Sequence, residues 1–243
     1  MRLFTSLLFL NVALLSVTFI STADANPKST SNMAKLNVVL PAIPNGGVIS
    51  GEHAFCIEDG KGKSKFGGNK SPEIKWSGAP KGTQSFVLIA NDPHVPSKID
   101  NLNKEGRVVS KDLPRITFYH WVLIDIPSKI SHLPAGAEGE GVILKGKKIG
   151  KTDHGIRGLN TFGDWFASNK DMNGEYGGYD GPCPPWNDEI VHEYYFEVFA
   201  LDIPTLNLKN GFRAPDVMKA MKGHILAKGM SAGHYKLNTA VKY

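Results

Sequence analysis

Apolar and polar residues alternate with the period of a half-buried strand in five stretches: 35–40, 85–91, 117–126, 192–202 and 235–241. Clusters of Gly, Pro, Asn and Asp separate them. One helix is predicted over 214–228. Pro215 suits its first turn, Val217, Met218, Met221, Ile225 and Leu226 form an apolar stripe, and Gly229 ends it. No internal repeat is present. The pattern predicts a mainly β protein of two antiparallel sheets, sandwich-like with Greek-key elements, and a few peripheral helices.

The alternation also assigns faces. Phe118, His120, Val122 and Ile124 share one face of their strand, opposite Tyr119, Trp121, Leu123 and Asp125. His192, Tyr194, Phe196 and Val198 share a face of theirs, opposite Glu193, Tyr195, Glu197 and Phe199. Each strand thus begins with a histidine in line with apolar neighbours, and a buried imidazole needs a partner.

The N-terminus breaks from this pattern. Arg2 precedes an apolar stretch over 3–20, and Ala23-Asp24-Ala25 offers small residues for cleavage. Residues 1–25 are read as a signal peptide cleaved after Ala25, 26–34 as a flexible tail and 35–243 as a single domain. An uncleaved membrane anchor is the rival reading of the same stretch. No later segment is apolar enough to span a membrane. The predicted location is therefore periplasmic or secreted, where Cys56 and Cys183 are free to pair, although sequence gives no distance between them. No C-x-x-C unit suggests zinc or redox chemistry. The net charge of +5 is mild and scattered; it favours anionic partners and weighs against nucleic acid.

Two long connections stand out. Residues 97–116 carry Lys98, Lys104, Arg107, Lys111 and Arg115 with few apolar residues. Residues 151–187 hold Phe162, Trp165, Phe166, Tyr176, Tyr179 and Trp186, which argues that this segment packs. Candidate chemistry lies beside the strands. Asp92-Pro93-His94-Val95-Pro96 is a rigid exit that presents Asp92 and His94 in a defined direction. Gly181-Pro182-Cys183-Pro184-Pro185 is a stiff loop whose backbone N–H groups could approach an anion.

These segments, together with 69–76 (NKSPEIKW), 119–123 (YHWVL), 192–196 (HEYYF) and 223–227 (GHILA), resemble the phosphatidylethanolamine-binding protein family, and more narrowly its bacterial Raf-kinase-inhibitor-like branch. The resemblance runs through nearly all of 35–243 in the family's order. It implies a small anion-binding cavity at one end of two sheets, with no cofactor, metal or catalytic residue. The implied ligand is a phosphate, a phosphorylated head group such as phosphoethanolamine, or a carboxylate, with kinase- or protease-modulating activity and peripheral membrane contact as further family traits. Carried over, the cavity comprises Asp92, His120, Gly181, Cys183, Pro184, His192 and Tyr194. On chemical grounds Asp92 either accepts from His120 and fixes its tautomer or binds the ammonium of an ethanolamine group. His94 departs from the family, which commonly has a second aspartate there. It is expected in the pocket as a third histidine, so that anion affinity rises as pH falls through about 6.5. Cys183 stands where eukaryotic members have glycine, and the gating C-terminal helix of those members has no counterpart here.

Other readings exist. A small-ester hydrolase would use Asp92 and His120, but no partner nucleophile is evident. An inhibitor would dock a protein through the basic loop over 98–115. Asp92, His94, His120 and His192 are zinc-ligand types. Gly229-Met230-Ser231-Ala232-Gly233 matches a nucleophile-elbow pattern, yet it is predicted between a helix and a strand, the reverse of what that elbow needs. Residues 141–147 match most of a phosphate loop, but Lys148 stands at the Ser/Thr position and Val-Ile-Leu reads as a strand.

Overall fold

Long strands of β-branched and aromatic residues build the centre of the protein, here described from a computed structural model over residues 33–243. The predicted signal peptide and residues 26–32 of the tail lie outside the described residues. In chain order the strands are β1 (Ala34–Lys35), β2 (Asn37–Val39), β3 (Gly47–Val48), β4 (Cys56–Glu58), β5 (Ser64–Phe66), β6 (Ile74–Ser77), β7 (Ser85–Pro96), β8 (Arg115–Pro127), β9 (His132–Leu133), β10 (Gly150–Lys151), β11 (Ile156–Arg157), β12 (His192–Leu201) and β13 (Ile225–Tyr235). Helix α1 spans Phe162–Trp165 and α2 spans Ala214–Ala220.

An eight-stranded sheet runs β1-β13-β12-β7-β8-β11-β10, with β3 also on β13. A smaller sheet runs β2-β6-β9, and β4 and β5 form a separate hairpin. The mainly β expectation holds. All pairings are antiparallel except β1 and β3 on β13. The core between the two sheets holds Leu36, Trp76, Phe86, Leu88, Trp121, Leu123, Phe196 and Val198. On the other face of the large sheet, Val87, Ile89, Val122, Ile124 and Phe199 pack under Val217 of α2 and Met221, its C-cap. The large sheet is therefore buried on both faces, which is why its strands carry near-continuous apolar runs rather than clean alternation.

Several elements differ from the sequence reading. The helix ends at Ala220, Gly223 takes a left-handed conformation (φ 89°), and β13 begins at Ile225. Ile225 and Leu226 fit either period, and ten residues of pairing with β12 decide for the strand. The predicted strand over 235–241 only touches this element at Tyr235. Gly229 and Gly233 then fall within β13, where a Cβ would overlap the Leu36 carbonyl and the side chains of Ile43 and Ile49 respectively. They let the N-terminal segment cross closely. Ser231 is thus mid-strand and buried, with no elbow around it. The stretch 35–40 divides between two sheets, β1 on β13 and β2 on β6. Ile143 and Leu144 belong to no strand and are exposed.

Two register shifts matter for the site. In β8, Tyr119 pairs with Asn91 and Trp121 with Ala90, so His120 is an extra residue opposite no partner. This bulge reverses the predicted faces beyond it. Phe118 and His120 keep the face toward the small sheet, Trp121 and Leu123 join them, and Val122 and Ile124 turn toward α2. In β7 the strand does not stop at Asn91. It continues to Pro96 through a second irregularity between Asp92 and Val95, which accommodates Pro93, a residue unable to donate to a regular ladder.

Candidate functional site

At one end of the large sheet, β7, β8 and β12 open onto a cavity of about 210 Å³. Its floor is Asp92 from β7, His120 from β8, and His192 and Tyr194 from β12. Its walls are almost entirely apolar: Phe55, Phe66, Phe118, Phe162, Trp165 and Phe166 on one side, and Cys183, Pro184 and Pro185 on another. Residues 162–166, a short helix and its C-cap, supply three of these rings; Phe55 stacks on Phe162 with centroids 4.5 Å apart.

The floor is a buried charge cluster. His192 is fully enclosed, with Nδ1 2.7 Å from Asp92 Oδ2 and Nε2 3.2 Å from Asp188 Oδ2. Both partners are acceptors, so both ring nitrogens donate and the ring is an imidazolium. Burial works against that charge, but the two carboxylates outweigh it and push His192 up to about 9. Burial alone would raise Asp92; the His192 charge and hydrogen bond hold it below its ordinary range. Asp188 is likewise lowered against its burial by His192 and by Arg115, whose Nη1 and Nη2 reach its two oxygens at 2.6 and 3.0 Å.

His120 has a different partner from the one expected. Its Nδ1 lies 2.7 Å from the Asp180 carbonyl oxygen, so Nδ1 carries the proton. Burial lowers its pKa despite the nearby Asp92 charge, and the ring is neutral. The Asp180 side chain is clamped by Lys147 Nζ at 2.5 Å and by Asn69 and Asn160 Nδ2, each at 2.8 Å, which fixes the carbonyl beneath His120. His120 Nε2 and the Tyr194 hydroxyl are buried without a protein partner. Burial, with the Asp92 charge beside it, raises the Tyr194 phenol well above its usual value, so it stays protonated.

Two expected residues do not line the cavity. The irregularity in β7 sets His94 beside Glu193, whose backbone N–H it accepts at 3.2 Å; it is part-exposed and stands behind His192. The cavity therefore has two histidines rather than three. Gly181 donates its N–H to Asn69 Oδ1 at 2.8 Å, and a Cβ there would overlap the His53 carbonyl oxygen, so this glycine serves close packing. Cys183 and Pro184 do line the wall, and Cys183 forms a disulfide with Cys56, closing the pairing that sequence left open. Among the described residues, no group of three or more His, Cys, Asp or Glu could hold a metal ion. His94, His120 and His192 face three different partners.

The basic loop is not a free arm. Asn187 Nδ2 reaches the carbonyls of Asn101 and Arg107, both at 2.9 Å, and its Oδ1 accepts from the Asn103 N–H. Val109 is buried, Arg115 is held by Asp188, and Leu102 and Asn103 reach the cavity rim. Asp188, Asp180 and Lys147 went unnoticed in the sequence. Asp188 carries only the weak signal of lying four residues before His192.

A family model described as phosphatidylethanolamine-binding protein matches residues 40–236. A UPF0098 protein of Aquifex aeolicus is 35% identical over 170 residues, covering 68% of this chain and 74% of that protein. The crystal structure of Escherichia coli YbcL, described as a member of the mammalian PEBP family, superposes with a TM-score of 0.59 at 26% identity, covering 84% of this chain and 99% of YbcL. CT736 of Chlamydia trachomatis, described as a PEBP homologue, gives 0.56 at 26% identity over 84% of this chain and 98% of its own.

Proposed function

Because the chain belongs to the phosphatidylethanolamine-binding protein family, we propose that it is a non-catalytic receptor for a small oxyacid ligand, held in the cavity above Asp92, His120, His192 and Tyr194. One observation carries this reading: two buried polar atoms, His120 Nε2 and Tyr194 Oη, lack a partner on the polar floor of an otherwise aromatic cavity. Native interiors rarely leave such groups unmatched unless something outside the chain completes them. A hydrogen phosphate, a singly protonated phosphoryl head group or a carboxylic acid supplies both kinds of group, a hydroxyl to donate to His120 Nε2 and an oxygen to accept from Tyr194.

Among the described residues, the cavity lining holds no serine, threonine, lysine or free thiol, which favours binding over turnover. Cys183 is in a disulfide, Ser231 is buried in mid-strand, and Asp92 hydrogen-bonds His192 rather than His120, which breaks the acid–base pair a hydrolase would use. The disulfide also favours residence in a periplasmic or extracellular compartment. Calorimetric titration of the full chain with inorganic phosphate and phosphoethanolamine tests the reading. Binding at one site that is lost in His120→Ala is expected. Steady hydrolysis of phosphate or carboxylate esters, lost in the same variant, overturns it.

A further inference from the structure

Asn103, on the connection between β7 and β8, is exposed but not free. Its backbone is left-handed, with φ 54°, a conformation that asparagine adopts more readily than most residues other than glycine. Its N–H donates to Asn187 Oδ1 at 2.9 Å, and its side-chain Oδ1 accepts from the Trp186 N–H at 2.9 Å. The Trp186 N–H also fixes which end of the amide faces it. Only the oxygen can accept, so Nδ2 with its two N–H groups is the end left over. Among the described residues Nδ2 has no hydrogen-bond partner, and Asn103 borders the cavity.

Hydrogen bonds rather than packing bring the residue there. No side chain over 98–108 is buried; Leu102 is half-buried at the rim, while Ile99 and Val108 are exposed. Asn187, itself buried, holds the segment through the carbonyls of Asn101 and Arg107, each at 2.9 Å. Trp186, Asn187 and Asp188 are consecutive, and Asp188 Oδ2 lies 3.2 Å from His192 Nε2 in the floor. One short stretch of chain therefore positions the rim amide and braces the floor.

An oxyacid seated on His120 Nε2 and the Tyr194 hydroxyl still has oxygens that neither group meets. His192 has no donor for them, because both its ring N–H groups are engaged by Asp92 and Asp188. The ring and proline side chains of the walls offer none. Hydrogen bonds to an ionised group are the strong ones, so a further donor at the mouth adds to binding. Resting on the receptor reading above, we infer that Asn103 is a ligand-contact residue. Its Nδ2 donates to the outward oxygens of the bound oxyacid, and residues 98–108 are the strap that carries this donor to the mouth.

Calorimetric titration of full-chain variants with inorganic phosphate tests the assignment. Asn103→Asp keeps the shape, the acceptor for the Trp186 N–H and the tolerance of a left-handed backbone, but replaces the donor end with a charged oxygen. Phosphate affinity should fall by more than about tenfold, through the lost bond and the like charge. Asn103→Gly keeps the backbone and removes the amide, and affinity should fall by about tenfold. In both variants the thermal midpoint should move by less than about 4 °C. Adding Asn103→Gly to Asn187→Ala should weaken phosphate little beyond Asn187→Ala alone, because both act through the same contact. Parent-like affinity in the two Asn103 variants overturns the inference and leaves the receptor reading standing. An equal loss in both points to the shape of the strap rather than to its amide, and overturns it too. If the parent chain binds neither phosphate nor phosphoethanolamine, the receptor reading and this inference fall together.

Discussion

Asp92 and His192, on neighbouring strands, meet through a 2.7 Å hydrogen bond in which both groups are charged and both are shut off from solvent. A buried pair of this kind is costly to break, because the survivor keeps its charge without its partner. Asp92→Ala should lower unfolding free energy by about 3–5 kcal/mol in urea denaturation. A loss below about 1 kcal/mol would mean that the pair is solvated or that His192 is neutral.

Stability should depend on pH from both sides. His192 is raised to about 9 from the ordinary imidazole value of 6.5, so its contribution is complete below 6.5 and disappears as pH rises through about 9. That loss is on the order of 3 kcal/mol. His120 is lowered and buried neutral, so the unfolded chain takes up its proton first and stability also falls as pH drops below 6.5. Asp92 and Asp188 add to the acid-side loss below the ordinary aspartate value of 3.8. Thermal melts across pH 4 to 10 should peak near 6.5; a monotonic rise toward pH 9 would contradict the imidazolium assignment.

Tyr194→Phe should separate binding from folding. The hydroxyl makes no hydrogen bond of normal geometry to the protein and only a weak contact with the Asp92 carboxylate, so stability should stay within about 1 kcal/mol of the parent chain. Ligand affinity should fall. A large destabilisation would reveal a bond from Tyr194 to the protein itself.

Gly181→Ala tests the loop beside the cavity. The added methyl meets the backbone carbonyl of His53, which cannot rotate aside as a side-chain tip would. Overpacking here should cost about 1–3 kcal/mol, read from the denaturation midpoint.

Reduction of the Cys56–Cys183 disulfide removes a link spanning 127 residues of chain. The Cys56→Ala, Cys183→Ala double variant should lose about 2–5 kcal/mol of stability. It should also weaken ligand binding, because Cys183 stands in the cavity wall. Unchanged affinity would show that Pro184 and Pro185 hold the wall by themselves.

The long strands were legible because their side chains alternate strongly and their ends carry turn residues. Asp92, His120, His192 and Tyr194 were found as strand residues that put polar tips in apolar company. What escaped was set by pairing rather than by local pattern. Ile225 and Leu226 suit a helix as well as a strand, and only β12 chooses between them. Pro93 marks an irregularity beside His94 but not which way it turns the imidazole, and nothing near His120 announces an unpaired residue. Asp188 lies in an irregular segment without periodicity, so its bond to His192 depends on a fold that brings the segment back over β7.

The unpaired His120 has a consequence for the chain as a whole. A strand can show each neighbour only every second residue, yet β8 must wall a cavity at one end and fill two cores at the other. The additional residue changes the parity of the strand between these tasks. Removing one residue there would not merely delete a side chain. It would exchange inside for outside along one arm of β8, sending either the imidazole or the Trp121 indole to the wrong layer. Receptor and scaffold are joined in this protein by a single count of residues.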